Sequence, residues 1–342
     1  MRNKPMAAAR YKLREGVSLS RDGDKCFLLS TFPLKALRFS PALASLFERL
    51  REERGAEVDE LNQLRPEEPR ERLARFLARL VKQGFLEEQG ADFWAEPPKV
   101  SVIIPVFNRP RDLENCLASL FDLDWPAEKL EIIVVDDAST DDTPEIARRF
   151  PVTLLRAARR QGASRCRNQG AAAAGGDILC FLDSDCTAAR DWLIELVSVF
   201  KDREVGAVGG SVESQTDRTR LDRYEQVKSP LLMGRVSRDS RNGDRFFYVP
   251  SCNLAVRREL FTALGGFRED MEVGEDVDFC WRLTDGGFVL EYRPSARVFH
   301  RHRNRLKAFC GRRFDYGTSE PLLQDRRRGR MKNLVVRPLA LG

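Results

Sequence analysis

Between residues 100 and 182 apolar runs of strand length alternate with helical patterns, and this alternation restricts the fold more than any other feature of the chain. Val100-Ser101-Val102-Ile103-Ile104-Pro105 gives way to the polar turn Asn108-Arg109-Pro110, and Leu113, Leu117 and Leu120 then share one helix face. Further apolar runs cover 130–135, 152–155 and 178–182. Buried strands joined by helices make a mostly parallel sheet, and the ligand of such a sheet lies beyond the carboxyl ends of its strands. Three of those ends are polar: Asn108 and Arg109, Asp136 and Asp137, and Asp183 with Asp185.

The last of these ends is Asp183-Ser184-Asp185, two carboxylates one residue apart where an apolar strand stops. Asp and Ser are ordinary turn residues, so a solvated turn satisfies the same pattern. The chemistry that requires both acids is a divalent cation, Mg2+ or Mn2+, carrying a diphosphate. Such hard cations take oxygen ligands and share their shell with phosphates and water, so one or two carboxylates suffice. No Gly-x-Gly-x-x-Gly follows the first strand and no Gly-Lys-Thr loop is present, so a metal has to do what backbone amides do elsewhere.

Residues 11–90 read as a separate module. Arg21-Asp22-Gly23-Asp24 favours a tight hairpin between Val17 and Leu29. Leu43, Leu46, Phe47 and Leu50 form one helix face, Leu73, Phe76, Leu77, Leu80 and Val81 a second, and Gly84 ends that helix. A hairpin with short helices is a winged-helix-like α+β arrangement. Winged helices bind nucleic acid, but Arg51-Glu52-Glu53-Arg54 alternates in sign and offers no clean basic face, so nucleic acid is not an expected partner. Pro97-Pro98 marks a linker over 91–99.

The 342 residues suffice for one large domain and one small one. Net charge is +6, and from Arg301 onward 12 basic residues face 3 acidic ones, so the segment 316–342 and what immediately precedes it hold the excess. A tail of this kind suits anionic lipid, which makes peripheral membrane contact one reading and a solvated end another. No apolar run reaches 18 residues and the N-terminus lacks a secretory core, so a cytoplasmic protein without a membrane span is expected. The eight cysteines are scattered without a Cys-x-x-Cys pair and are expected to be reduced.

Two resemblances follow from these segments. Leu13-Arg14-Glu15-Gly16-Val17, the hairpin, Leu37-Arg38-Phe39-Ser40 and Gly84-Phe85-Leu86 resemble the PqqD-type domains that recognise leaders of ribosomally made peptides. Ser101 through Arg109, Val134-Val135-Asp136-Asp137-Ala138-Ser139, Arg167-Asn168-Gln169-Gly170, Phe181-Leu182-Asp183-Ser184-Asp185, Gly265-Gly266-Phe267 and Gly274-Glu275-Asp276-Val277-Asp278 resemble the family 2 glycosyltransferases of GT-A fold. That resemblance places the transferase domain at 100–315 and implies inverting transfer from a UDP-sugar. On its pattern, Pro105 and Val106 line the base pocket, Asp137 binds the uracil, and Asn108 and Ser184 belong to the donor site. Arg167 lies near ribose or diphosphate, where a guanidinium offers a fork of donors. Asp183 contacts the ribose, and Asp185 holds the metal with His300 as an additional ligand. Asp276 is the base, Glu275, Gly265, Gly266 and Phe267 stand on the acceptor side, and Arg312 and Arg313 close over the diphosphate.

A PqqD-like module ahead of such a transferase is similar to the glycosyltransferases of mycofactocin systems. It implies glucose from UDP-glucose as the transferred sugar, a peptide or peptide-derived redox cofactor as acceptor, and a possible protein partner at the N-terminal module. Two alternatives stand beside it: a transferase acting on a cell-wall polysaccharide or lipid-linked acceptor, and a non-catalytic peptide-binding adaptor.

Overall fold

The computed structural model describes residues 10–326 apart from 15, 32–33, 53–54, 90–96, 217, 243–246, 272 and 302–305. Most of the expected linker, His302 and the basic residues from 327 onward therefore lie outside the described residues. Internal contacts divide the chain into two units, Met1–Pro97 and Pro98–Gly342.

The first unit runs β1 (Arg10–Leu13), β2 (Val17–Asp22), β3 (Lys25–Thr31), β4 (Leu34–Phe39), α1 (Ala44–Arg51), β5 (Ala56–Glu57), α2 (Val58–Gln63), α3 (Arg70–Lys82) and β6 (Leu86–Gln89). The hairpin forms with Asp22 opposite Lys25 and Gly23 at φ 56°, the left-handed backbone that a two-residue hairpin turn needs. β4 extends it to a β2-β3-β4 sheet, and a second sheet runs β5-β1-β6. Leu46, Phe47 and Leu50 of α1 meet Leu73, Leu77 and Leu80 of α3 in one core with Leu28 and Phe39. Gly84, at φ 80°, closes α3: its N–H donates to Val81 O at 2.9 Å, and Phe85 N–H donates to Leu80 O at 3.0 Å.

The second unit opens with β7 (Val100–Val106), α4 (Pro110–Phe121), β8 (Leu130–Asp136), α5 (Thr143–Arg148), β9 (Thr153–Arg156), α6 (Ala163–Ala173) and β10 (Ile178–Leu182). Next come β11 (Cys186–Ala188), α7 (Trp192–Val197), β12 (Val205–Ser214), α8 (Arg220–Lys228), β13 (Arg238–Asp239) and β14 (Asn253–Arg257). It closes with α9 (Arg258–Ala263), α10 (Glu275–Asp285), β15 (Val289–His300) and α11 (Leu306–Arg326). No described helix is long and apolar enough to cross a membrane. All eight cysteines are free, and seven of them are buried.

The sheet is parallel where the alternating pattern predicts it, in the order β10-β7-β8-β9. β14 joins antiparallel between β10 and β12, and β15 runs parallel to β12. This is the expected α/β fold of GT-A type. From β7 the chain builds outward through β8 and β9, then returns to the other side of β7 as β10. That reversal opens a crevice at the carboxyl ends of β7 and β10. The antiparallel β11 pairs with β15 so that Cys186 stands opposite His300, which brings the end of β15 to the same crevice.

Helix α6 lies close on β7 because residue 170 has no side chain. A Cβ there runs into Ile103 Cγ2 and stands 3.2 Å from Val135 Cγ2. Gly170→Val is expected to destabilise the fold by about 1–3 kcal/mol through overpacking, read as a lower urea midpoint with an unchanged slope.

Candidate active site

The crevice is a cavity of about 750 Å³ walled by residues from several chain segments. Pro105, Val106, Phe107 and Arg109 come from the end of β7, Asp137 from the end of β8, and Asp183, Ser184 and Asp185 from the end of β10. Arg167 comes from α6, Glu275 and Asp276 from the start of α10, and His300 from the end of β15. Two non-glycine residues take left-handed backbone where these loops begin, Asn108 at φ 51° and Ala138 at φ 62°. Ala138 follows the sharp division of labour at β8. Asp136 is fully buried and accepts hydrogen bonds from Arg156 Nε at 2.8 Å and Ser139 N at 3.1 Å. Asp137 reaches the cavity wall, where its two oxygens accept from the backbone N–H groups of Gln161 at 2.7 Å and Gly162 at 3.0 Å.

Asp185 sits in a positive corner. One oxygen lies 3.4 Å from His300 Nε2 and the other 3.2 Å from Arg109 Nη1. Burial alone would raise its pKa, but His300 and Arg109 overcome that and hold the carboxyl well below the usual carboxylate range. Against the opposing effect of burial, the same contact raises His300 above its ordinary value. Ligand atoms of Asp185, Cys186 and His300 all fall within 4.8 Å of one another. Burial pushes the Cys186 thiol well above its ordinary value, so it stays protonated and is no ligand for a hard cation. The carboxylate and imidazole that remain, both on the cavity wall, fit a divalent cation that completes its shell with phosphate oxygens and water. Arg109 supplies positive charge beside that carboxylate, and His300 faces its other oxygen.

Across the cavity Glu275 and Asp276 open α10, where the helix dipole favours acids. Arg167 joins them to the strand ends. It is only 3% exposed, and its Nη2 donates to Asp183 Oδ1 at 2.6 Å while Nη1 donates to Glu275 Oε1 at 3.0 Å. Asp276 accepts from the backbone N–H groups of Ser251 at 3.1 Å and Val277 at 2.8 Å. Burial nevertheless raises Asp276 above its ordinary value. Burial, together with the charge of Asp276, pushes Glu275 up to about 7 against the pull of Arg167.

Several expected site residues have other work. Asn108 is not on the cavity wall. Its N–H donates to Ser139 Oγ, and its Oδ1 accepts from Thr140 N, both at 2.9 Å, so it clamps the β7 and β8 loops together. Gly265 and Gly266, expected on the acceptor side with Phe267, form a left-handed turn after α9 at φ 76° and 64°. Asn168 Nδ2 donates to Phe267 O at 2.8 Å and its Oδ1 accepts from Phe267 N–H at 2.9 Å, and the Phe267 ring packs among Phe181, Phe261 and Phe279. Gly265 and Phe267 border a separate cavity of about 510 Å³ instead. Arg167, expected near ribose or diphosphate, reaches the cavity wall with its terminal nitrogens on Asp183 and Glu275.

Arg312 and Arg313 reach the wall as expected, beside residues that the sequence did not single out. Arg160 lies over the Phe107 ring at 4.4 Å, and Tyr248 and Ser251 precede β14. One face of α11 carries Phe309, Arg312, Tyr316, Ser319 and Leu323 to the wall. Their spacing of three and four was legible as a helix stripe; its mixed composition hid it. Gly274, at φ 85°, allows α11 this close, since a Cβ there would stand 2.9 Å from Ser319 Cβ.

A carboxyl whose folded-state value exceeds its unfolded one stabilises the fold fully below the unfolded value and loses that contribution as pH rises through the folded one. For Glu275 the window runs from 4.5 to about 7. The thermal midpoint is therefore expected to decline across that window, and Glu275→Gln, neutral throughout, to flatten the decline in a pH series of melting curves.

Residues 101–265 match the family model described as Glycosyl transferase family 2. The chain is 32% identical over 318 residues to the pre-mycofactocin glycosyltransferase of Mycobacterium tuberculosis, an alignment that covers 92% of this chain and 63% of that protein. It therefore extends into the N-terminal unit. Glycosyltransferase AglE of Haloferax volcanii is 34% identical over 202 residues, covering 57% of this chain and 64% of that protein. The chain thus spans under two thirds of the length of these relatives. Among solved structures, the mannosyltransferase PcManGT from Pyrobaculum calidifontis, in complex with GDP-Man and Mn2+, superposes with a TM-score of 0.53 at 27% identity, covering 70% of this chain and 66% of that one. On fold, site geometry and sequence together, residues 101–265 carry a family 2 glycosyltransferase domain.

Proposed function

We propose that the protein is an inverting, metal-dependent glycosyltransferase that moves a sugar, glucose from UDP-glucose, to a hydroxyl of a peptide-derived redox cofactor of the mycofactocin kind. One observation carries the reading: a single cavity holds Asp137, Asp183, Asp185 and His300 at the strand ends and Asp276 at the head of α10.

Asp137 keeps lone pairs free beside its two backbone bonds and accepts from an N–H on the nucleobase edge, with Pro105 and Val106 forming the pocket wall. Asp183 uses one oxygen on Arg167 and offers the other to the ribose. Asp185 and His300 would hold the cation that neutralises the departing diphosphate. PcManGT, with GDP-Man and Mn2+ bound, supports a cation in this fold. Asp276 takes the acceptor's hydroxyl proton as its oxygen bonds to the anomeric carbon and the bond to the diphosphate breaks. Arg312 stacks on Tyr316 at 4.8 Å and borders the same space, so it is available to the diphosphate from the other side.

The similarity to the mycobacterial protein, which reaches into the first unit, supports a peptide-binding or partner-binding role for that module. A polysaccharide or lipid-linked acceptor would use the same donor residues, so acceptor screening decides between them.

Asp276→Asn is expected to lower turnover by about 10²–10⁴-fold with UDP affinity retained, measured as UDP release and as acceptor mass after incubation with UDP-glucose and Mn2+. Turnover equal to wild type would sink the assignment. Because burial raises Asp276 above its ordinary 3.8, the acid limb of the kcat/KM profile is expected above that value, and activity rises as pH carries the carboxyl into its ionised form.

A further inference from the structure

The carboxylate that a metal ion would use is already in contact with a cation of the chain. Arg109 Nη1 lies 3.2 Å from Asp185 Oδ2 and 2.9 Å from Asp112 Oδ2, so one nitrogen serves two carboxylates. Asp112, in the first turn of α4, is 12% exposed at its side chain and is itself held by Arg301 Nη1 at 2.6 Å. The backbone of Arg109 is pinned where α4 starts, its N–H donating to Thr143 Oγ1 at 2.9 Å, while its side chain stays 33% exposed on the cavity wall. An arginine with a fixed backbone and a partly exposed head can change partners by side-chain rotation alone.

The charges in this corner balance in pairs: Asp185 with Arg109, Asp112 with Arg301, and Asp183 with Arg167. His300 faces the other oxygen of Asp185 and adds no negative charge. A bare dication approaching Asp185 therefore meets a carboxylate whose charge is offset and a guanidinium that repels it. A diphosphate changes both conditions. Its oxygens carry several negative charges, which attract the dication, and they offer the guanidinium a better partner, because its fork of donors matches phosphate oxygens.

We propose that Arg109 makes the cation site conditional on the nucleotide: in the chain alone it occupies Asp185 and keeps a bare dication off, and it passes to the phosphate oxygens when a nucleoside diphosphate brings the dication in. The inference rests on the transferase reading above and deepens it, by naming the residue that couples the binding of donor and cation. Asp112 alone would anchor Arg109 to α4; the contact with Asp185 adds control over that carboxylate. By linkage, the factor by which UDP tightens Mn2+ is the factor by which Mn2+ tightens UDP, so one side chain tunes both.

The test titrates the full chain with Mn2+, with and without UDP, and follows the free ion by electron paramagnetic resonance; a titration of UDP without protein corrects for the ion that UDP binds alone. Calorimetry measures UDP affinity with and without Mn2+, Asp185→Asn identifies the signal that belongs to this site, and melting curves verify that each variant folds. Wild type is expected to bind Mn2+ at least about tenfold more tightly with UDP than without it. Arg109→Gln is expected to bind bare Mn2+ about tenfold more tightly than wild type, with the UDP effect reduced by the same factor. Arg109→Lys, which keeps the charge, is expected to hold bare Mn2+ as weakly as wild type. Bare Mn2+ affinity in Arg109→Gln equal to or below that of wild type, with UDP still tightening the ion, overturns this inference alone, as does bare Mn2+ binding wild type as tightly as it does with UDP. Failure of wild type to bind Mn2+ even with UDP bound, or to bind UDP at all, overturns the metal-dependent transferase reading, and this inference with it.

Discussion

The site depends on one buried cation. Arg167 carries charge into a place that water does not reach and spends both terminal nitrogens on carboxylates from different parts of the chain, Asp183 at a strand end and Glu275 at a helix start. Desolvating three such groups cancels much of the attraction between them, so the triad contributes little to net stability. What it contributes is position. Without the guanidinium, Asp183, Glu275 and Asp276 would be three acids facing a common space, and their repulsion would drive the head of α10 away from the end of β10. The Phe267 ring, 5.8 Å from the guanidinium, gives that cation an aromatic floor.

A second device acts at the corner where Asp185 and His300 meet. β15 delivers His300 through antiparallel pairing with the three-residue β11, and Arg301 N–H donates to Asp185 O at 2.9 Å. Backbone hydrogen bonds thus set the spacing between Asp185 and His300. A cation held as proposed would need little reorganisation there, because Asp185, in the turn between β10 and β11, is tied through its carbonyl to the residue that follows His300.

Much of the donor half was legible in the sequence for one reason: a continuous apolar run ending in an acid is a local signal, and the runs at 100–106, 130–136 and 178–182 carry it directly. The rest rests on contacts distant in sequence. The strands beyond 200 show no comparable pattern apart from 296–299, since their glycines and mixed polarity blur the strand signal, so the antiparallel half of the sheet was invisible. Asn108 sits among polar turn residues, and nothing local separates an amide that meets a ligand from one that clamps two loops. The turn at 265–267 was misplaced because two left-handed glycines can present a following aromatic to solvent or to the core, and Asn168, about a hundred residues earlier, decides which. The choice of Asp137 over its neighbour Asp136 came with the family pattern and not from any local signal.

Gly274 joins two demands that no other residue type meets together, left-handed backbone at the head of α10 and room for Ser319 where a methyl would stand. The separation of the two helices is thereby written into a single hydrogen atom. Bulk added there would push α11 away from the head of α10 and widen the cavity between them, while the ends of the parallel strands on its other wall stayed as they were.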